Sequence, residues 1–177
     1  MKLSVVIPAY NEEARIGGCL NSILAEMNGK NYDMEIVAVN NASTDKTREI
    51  IASFPEVKLV DEPSKGLVKA RRAGFMASRG DLVANIDADT RMTPGWLDKV
   101  FEEFSKNKKL VALSGPFIYY DLSKNARAAV KTFYYLGFFS YLINRYILGV
   151  GSMLQGGNFV VKRTALEAIG GFNSDFD

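Results

Sequence analysis

Two carboxylate residues separated by a single position follow an apolar segment of the chain. The segment LVANI (82–86) has the composition of a buried strand, and Asp87 and Asp89 come directly after it with only Ala88 between them. Two ionised carboxylates repel each other and are costly to bury unless a positive charge pairs with them. A divalent cation that also binds a diphosphate would supply this charge. The alternative is that the two residues only cap the following turn or helix.

Basic residues precede this strand and could serve the same site. Lys65, Lys69, Arg71 and Arg72 lie on or just before a predicted helix over residues 66–79. Arg71 or Arg72 could clamp a phosphate, because the guanidinium fork matches phosphate geometry. For Lys69 taken alone, a solvated helix charge is the simpler interpretation.

The composition limits the chemistry that such a site can perform. The sequence has no histidine, which excludes imidazole acid–base catalysis, serine–histidine nucleophiles and imidazole metal ligands. Its single cysteine, Cys19, excludes an intramolecular disulfide and a zinc–thiolate cluster. A metal would therefore have oxygen ligands, which favours magnesium, manganese or calcium. The net charge of +2 is too small to indicate nucleic-acid binding.

Apolar runs and amphipathic segments alternate along the first 106 residues. This alternation predicts an α/β fold with an open, mainly parallel sheet and helices on both faces. Polar segments follow each of the first four strands, and ligands bind at the carboxyl ends of the strands in such sheets. We therefore expect one site at this edge. The predicted strands are 3–7, 34–40, 57–60, 82–86, 110–115, 117–120 and 156–161, and the predicted helices are 12–28, 43–54, 66–79, 94–106 and 163–169.

The segment 124–150 is rich in aromatic and long aliphatic residues. Its uncharged run over 132–144 is shorter than the roughly 20 residues needed to span a bilayer. Three interpretations remain open: a buried or partner-facing helix, an interfacial membrane helix that contacts a membrane surface through 128–150, and a spanning segment. The apolar run near the N-terminus is too short for a signal peptide, so we expect a cytoplasmic location, peripheral to the inner face of the membrane if the helix is interfacial.

Four segments together resemble the family 2 glycosyltransferases, which have the GT-A fold. They occur in the order and spacing of that family and extend over nearly the whole chain. Each is weak alone, and the combination is specific. The four segments are VVIPAYNEE (5–13), VNNASTD (39–45), KGLVKARRAGFMASRGDLVANIDADT (65–90) and GGNFVVKRTALEAIGGF (156–172).

The resemblance implies a single GT-A domain with two parts. Residues 1–120 would form the Rossmann-like part that binds the nucleotide sugar, and residues 121–177 the acceptor-side part with the apolar helix. Asp87 and Asp89 match the family's DxD motif, with Asp89 as the principal ligand of a magnesium or manganese ion. The residues implied to bind the nucleotide sugar are Pro8, Ala9, Tyr10, Glu12, Asn40, Asn41, Lys65, Gly66, Arg71, Asp87 and Ala88. Those implied on the acceptor side are Gly156, Gly157 and Asn158.

The sequence departs from the family pattern at two points. The family usually has an acidic residue that touches the base, where this chain has Asn41 followed by Ala42. The family also has a Glu-Asp pair beyond the GGF segment that supplies the catalytic base, and no such pair follows here. The late carboxylates, Asp175 and Asp177, are weak candidates because they lie too close to that segment. We therefore expect a catalytic domain truncated before its base motif.

The function implied by the resemblance is an inverting, metal-dependent hexosyltransferase. It would move a sugar from a nucleoside-diphosphate sugar to an acceptor hydroxyl on a lipid-linked sugar or a cell-surface polysaccharide. A non-catalytic module that binds nucleotide sugars or serves in assembly is the alternative, because it would share every donor-site residue. Two other enzyme classes fit the sequence less well. An aspartyl-phosphate phosphatase also has two aspartates after a strand, but it would have Thr or Val where Arg91 stands. A dinucleotide oxidoreductase would have the motif GxGxxG after the first strand, where this chain has PAYNEE.

Overall fold

The computed structural model describes residues 1–115, 123–149 and 156–173. Strands and helices alternate through the first part of the chain, as the sequence predicts. The strands are β1 (Leu3–Ala9), β2 (Met34–Asn41), β3 (Val57–Glu62), β4 (Leu82–Ile86), β5 (Ala112–Ser114) and β6 (Asn158–Lys162). The helices are α1 (Ile16–Met27), α2 (Thr47–Ala52), α3 (Leu67–Ala77), α4 (Trp96–Lys106), α5 (Lys124–Tyr146) and α6 (Arg163–Ala168).

The six strands form one mixed sheet in the order β3-β2-β1-β4-β6-β5. The first four strands pair in parallel, whereas β6 runs antiparallel to both β4 and β5. The prediction of an open, mainly parallel sheet is therefore confirmed. Because β1 lies between β2 and β4, the loops that follow these three strands emerge side by side.

Helices cover both faces of the sheet, as predicted. On one face α1, α2 and α4 enclose a core that includes Ile16, Leu20, Ile51 and Leu97. On the other face α3 and α6 cover a smaller core that is defined by Val6, Val37, Phe75, Val83, Val161 and Leu166. All seven residues of β1 are buried, which explains why its sequence is a continuous apolar run and shows no alternation.

Two helices begin four residues later than their sequences predict. Helix α1 begins at Ile16, where we expect residue 12, and α2 begins at Thr47, where we expect residue 43. The polar residues expected in their first turns instead form contacts between loops. The hydroxyl of Ser43, the first residue of the predicted helix, accepts a hydrogen bond from the backbone amide of Asn11 at 3.1 Å. The strand predicted over 117–120 lies outside the described residues, and β5 is shorter than its prediction.

Most of the described side chains of helix α5 are exposed. Phe133, Leu136 and Phe139 each expose more than 60% of their surface. The hypothesis that this helix is buried within the described fold is therefore wrong. Among the residues that the structure describes, no helix is long and apolar enough to cross a membrane.

Candidate functional site

The loops that follow β1 and β2 are joined by hydrogen bonds at the carboxyl edge of the sheet. The backbone amide of Glu12 donates to Oγ1 of Thr47 at 2.7 Å, and that of Glu13 donates to a carboxylate oxygen of Asp45 at 3.1 Å. Asn11 accepts in return from the amide of Thr44 at 2.8 Å. These contacts fix the backbone that follows Pro8, Ala9 and Tyr10, so the end of β1 forms a defined wall of the site.

A pocket of about 190 Å³ opens between the ends of β1 and β2 and the start of α3. An aromatic ring and a cation lie together in its lining. Nζ of Lys65 is 4.0 Å from the centroid of the exposed Tyr10 ring. A flat apolar wall beside a cation suits a nucleotide base and its phosphates. The lining residues are Pro8, Ala9, Tyr10, Asn41, Lys65, Gly66, Leu67 and Ala70.

Asn41 holds the loop that forms one side of this pocket. Its side chain is 3% exposed, and Nδ2 donates to the carbonyl oxygens of Ser64 at 2.7 Å and Glu62 at 3.3 Å. Its Oδ1 accepts from the backbone amide of Gly66 at 2.9 Å. Both amide hydrogens are thus used within the protein, and only a second lone pair of Oδ1 remains for a ligand.

Asn40 serves a similar role on the other side of β2. Its Nδ2 donates to Oδ1 of Asp61 at 2.9 Å, and its Oδ1 accepts from the amide of Ser43. Asp61 also accepts three hydrogen bonds from the guanidinium of Arg48, two from Nε and one from Nη2, which hold the pKa of its carboxyl below the usual range. The side chains of the two asparagines that end β2 therefore stabilise the loops around the pocket.

Arg71 links helix α3 to the turn that follows β4. Its Nη2 donates to the carbonyl oxygen of Gly156 at 2.8 Å and lies 3.4 Å from Oδ1 of Asp87. The backbone amide of Asp87 donates to the carbonyl oxygen of Gly157 at 3.1 Å. The turn after β4 and the segment before β6 are thus joined through one arginine. Of the two candidate phosphate clamps, Arg71 faces the site, whereas Arg72 is exposed.

The Asp87 carboxyl is held in an environment that disfavours its charge. Partial burial raises its pKa, and the neighbouring Asp89 raises it further. The charge of Arg71 lowers the pKa, but by less than these two effects raise it. Cys19 lies beneath the same turn, with its thiol 3.7 Å from the carbonyl oxygen of Asp87. Burial, with Asp89 and Asp87 as further causes, raises the pKa of this thiol to about 12, so Cys19 is not a nucleophile at neutral pH.

The residues of this turn fit a divalent cation. Arg71 contacts one oxygen of Asp87, and Asp89 is exposed beside it. The net rise in the pKa of Asp87 means that a further positive charge at this position would be favourable. Two carboxylates suit magnesium or manganese, whose remaining positions are commonly filled by water and substrate phosphates. No group of three or more acidic or cysteine side chains suited to a metal occurs within the described ranges.

Other predicted site residues have surroundings apart from the turn after β4 or lie outside the described part of the chain. Asn158 points to the α4 face of the sheet, where it lines a second cavity of about 420 Å³ with Trp96 and Lys99. The side chain of Glu12 faces Arg15, with 3.5 Å between Oε2 and Nη1. Asp175 and Asp177, the weak candidates for the catalytic base, lie outside the described residues.

Sequence reasoning overlooked Asn85, which lies in β4 two residues before Asp87. It is 1% exposed, and no described group forms a hydrogen bond with its side-chain amide. A polar residue inside the apolar run LVANI was a signal that could have revealed it.

A sequence model of the family described as glycosyl transferase family 2 matches residues 4–170. The chain belongs to this family. A dolichyl-phosphate beta-glucosyltransferase of Trichomonas vaginalis is 30% identical over 151 residues, which cover 75% of this chain and 44% of that protein. An uncharacterized glycosyltransferase of a Nostoc strain is 36% identical over 109 residues, 59% of this chain and 33% of that protein.

Solved structures share the fold. A mannosyltransferase from Pyrobaculum calidifontis in complex with GDP-Man and Mn2+ superposes with a TM-score of 0.70 at 23% identity, covering 98% of this chain and 48% of that one. TarS of S. aureus in complex with UDP-GlcNAc superposes with a TM-score of 0.66 at 19% identity, covering 96% of this chain and 48% of that one. The GT-A fold is thereby confirmed. This chain spans less than half the length of each of these four proteins.

Proposed function

We propose that the protein transfers a hexose from a nucleoside-diphosphate sugar to an acceptor hydroxyl. One observation carries this proposal: the pocket beside Tyr10 and Lys65 lies at the same sheet edge as the Arg71–Asp87–Asp89 group. A nucleotide base in the pocket would place its diphosphate near the basic and acidic groups after β4. Membership of the family, and relatives named as glycosyltransferases, support the same reaction.

In this proposal the donor is held at three places. Pro8, Ala9 and Tyr10 contact the base and ribose, while Asn40 and Asn41 keep the surrounding loops in position. Lys65, Gly66 and Arg71 face the diphosphate, and the guanidinium provides a planar donor for phosphate oxygens. Asp87 and Asp89 would hold magnesium or manganese, which when bound supplies positive charge that stabilises the departing diphosphate.

The proposed chemistry is a single displacement with inversion. The acceptor oxygen forms a bond to the anomeric carbon while the bond from that carbon to the diphosphate oxygen breaks, and the bonding electrons leave with the diphosphate. The acceptor proton passes to a carboxylate base. Asp175 and Asp177 remain weak candidates for that base. Gly156 and Gly157 would border the sugar, because their carbonyl oxygens accept hydrogen bonds from Arg71 and Asp87 at the turn that would hold the diphosphate.

A transfer assay separates this activity from simple nucleotide-sugar binding. The purified protein is incubated with UDP-glucose, UDP-GlcNAc or GDP-mannose, Mn2+ and a lipid extract, and release of nucleoside diphosphate is measured. We expect release with one donor, and its loss in Asp89→Ala. Asp33→Ala is the matched control, since Asp33 is an exposed carboxylate at the opposite edge of the sheet. Donor binding without release would identify the chain as a non-catalytic module.

We further propose that the acceptor is presented at a membrane surface and that α5 lies on that surface. Tyr135, Phe139, Ile143 and Tyr146 are exposed and recur at intervals of four, four and three residues, so they share one side of the helix. Residues 123–149 contain four basic residues and no acidic one. An exposed apolar face on an exclusively basic segment fits an anionic lipid bilayer.

The basic side chains lie close to the aromatic ones. Nζ of Lys131 is 6.0 Å from the Tyr135 ring centroid, and Cζ of Arg145 is 5.7 Å from that of Tyr146. In an interfacial orientation the rings would enter the acyl boundary while the two cations remain at the headgroups. A lipid-linked acceptor would then meet the site without leaving the membrane, and the protein would act at the inner face of the membrane.

Flotation with liposomes tests the membrane proposal. We expect the protein to float with vesicles that contain phosphatidylglycerol and to remain behind with pure phosphatidylcholine. The double variant Phe139→Ser/Ile143→Ser should lose flotation, whereas Ile169→Ser, an exposed apolar residue after α6, should retain it. Equal flotation of all three proteins, or none, would contradict the role of α5.

A further inference from the structure

Two residues at the candidate site or in the strand that leads to it have buried polar atoms without a described partner. Oδ1 and Nδ2 of Asn85 and Nε of Arg71 are the buried side-chain atoms that lack a hydrogen bond in the part of the chain that the structure describes. Both residues are well covered, since Asn85 is 1% exposed and the Arg71 side chain 14%. Buried polar groups in folded proteins are almost always satisfied, so each exception calls for a physical explanation.

Asn85 lies on the face of the sheet that α3 covers. It pairs in register with Val6 of β1 and Phe159 of β6, and both belong to or pack against the core under α3. Asn85 is the penultimate residue of β4 and precedes Asp87 by two residues. The Phe159 ring centroid is 5.7 Å from Cζ of Arg71. Asn85 is thus a register neighbour of Phe159, and the Arg71 guanidinium lies near the ring of the same residue, so both border Phe159.

A buried water molecule would satisfy all three atoms. A water needs two to four polar partners and space that apolar groups do not fill. Asn85 offers an acceptor and a donor, and Nε of Arg71 offers a donor. An aliphatic residue would suit the surrounding core better, because the register neighbours of Asn85 are Val6 and Phe159.

We propose that Asn85 is a positioning residue for Arg71 and that it acts through one buried water molecule bound to Nε of the guanidinium. Nη2 already donates to Gly156 and approaches Asp87, so a further contact at Nε fixes the plane of the group. The guanidinium is then already held in the orientation that faces the diphosphate position, so binding costs less side-chain entropy. The effect on nucleotide affinity rests on the proposed function, whereas the water site does not.

A crystal structure of the ligand-free protein at about 1.5 Å tests the water site directly. We expect an ordered water within hydrogen-bond distance of both the Asn85 amide and Nε of Arg71. In Asn85→Leu this water should be absent and the guanidinium should occupy more than one orientation. An empty space, or a protein group bonded to the Asn85 amide in its place, would overturn the proposal whether or not the protein binds nucleotides.

Nucleotide titration tests the positioning role. With Mn2+ and whichever of UDP or GDP binds the wild type, Asn85→Leu should weaken affinity by about tenfold. Asn85→Ser leaves a hydroxyl and room for water, so it should lose less than about threefold. Val161→Ala opens the same core at a residue that the proposed water site does not include, and it is the stability control; its affinity should equal that of the wild type.

A double-mutant cycle excludes a purely structural effect. If Asn85 orients Arg71, Asn85→Leu should cost little affinity once Arg71→Lys is present, because the group to be oriented has already been lost. Additive losses in the double variant would overturn the proposal, as would an Asn85→Leu protein with wild-type affinity and a raised melting temperature. Failure of the wild type to bind either nucleotide contradicts the proposed function alone, and the crystal structures then decide the water site.

Discussion

Nη2 of Arg71 lies 3.4 Å from Oδ1 of Asp87, so a guanidinium on α3 meets the first carboxylate after β4. The same nitrogen donates to the carbonyl oxygen of Gly156. This contact joins the helix that borders the pocket to the turn that would hold a divalent ion. It also explains why the two carboxylates can follow a buried strand: one is paired with a cation and the other is exposed.

Neutralising Asp87 should stabilise the protein in the absence of metal. Burial is the largest cause of the raised pKa of Asp87, so the folded state disfavours its charged form. Its folded pKa exceeds the unfolded value, and the resulting penalty is absent at acidic pH and grows as the pH rises through the folded pKa. In EDTA, Asp87→Asn should therefore melt higher than the wild type at pH 7, with a difference that shrinks towards pH 4. A lower melting temperature at pH 7 would show that the Arg71 contact outweighs burial.

The ring of Tyr10 should matter more for nucleotide affinity than its hydroxyl. Lys65 lies 4.0 Å from the ring centroid, so the ring both orients the cation and forms a wall of the pocket. We expect Tyr10→Leu to weaken UDP or GDP binding by about tenfold, and Tyr10→Phe to change it by less than about twofold. Calorimetric titration measures both. Equal losses in the two variants would indicate that the hydroxyl is the important group.

Replacing Asn41 by Asp should destabilise the loop beside the pocket. The substitution removes two donors and directs a carboxylate at the carbonyl oxygens of Ser64 and Glu62. We expect a loss of about 1–3 kcal/mol in the free energy of unfolding, measured by urea denaturation at pH 7. Asn107→Asp makes the same chemical change at an exposed helix end and should cost less than about 0.5 kcal/mol. If both variants unfold alike, the amide of Asn41 does not hold the loop.

The close approach of α3 to the sheet depends on Gly74. A Cβ atom at this position would overlap Cγ1 of Val6 and lie 3.1 Å from Cγ2 of Val39. Gly74→Ala should therefore lower the free energy of unfolding by about 1–3 kcal/mol. Gly17→Ala in α1 is the matched helical control, because the added Cβ would lie 3.7 Å from Cγ2 of Ile50, an ordinary van der Waals contact, and it should be neutral or slightly stabilising. Equal effects in the two variants would contradict the packing explanation.

The sequence predicts the sheet and its carboxyl edge because those features follow from local patterns. Apolar runs that end in polar segments locate β1, β2, β3 and β4. The choice between Arg71 and Arg72 required the structure, since only the packing of Gly74 and Ala70 against the sheet sets the rotation of α3.

Contacts between distant loops were beyond the reach of local patterns. Ser43 is predicted to begin a helix, and its hydroxyl instead accepts from the amide of Asn11, 32 residues away. The expectation that the Asn41 amide meets the base did not anticipate its bonds to residues 62–66, which depend on the conformation of a remote loop. Asn85 is recognisable in the sequence as a polar residue within an apolar run. Its proposed role depends on Arg71 of α3, which is remote in the sequence.

The most direct test of a nucleotide-sugar site is calorimetric titration of the protein with UDP and GDP, with and without Mn2+. We predict that one of the two nucleotides binds, that binding requires the metal, and that Asp89→Ala abolishes it while Asp33→Ala leaves it unchanged. Binding that is indifferent to Mn2+ and to Asp89→Ala would contradict a donor site built on the two carboxylates. So would the absence of binding by a protein that circular dichroism shows to be folded.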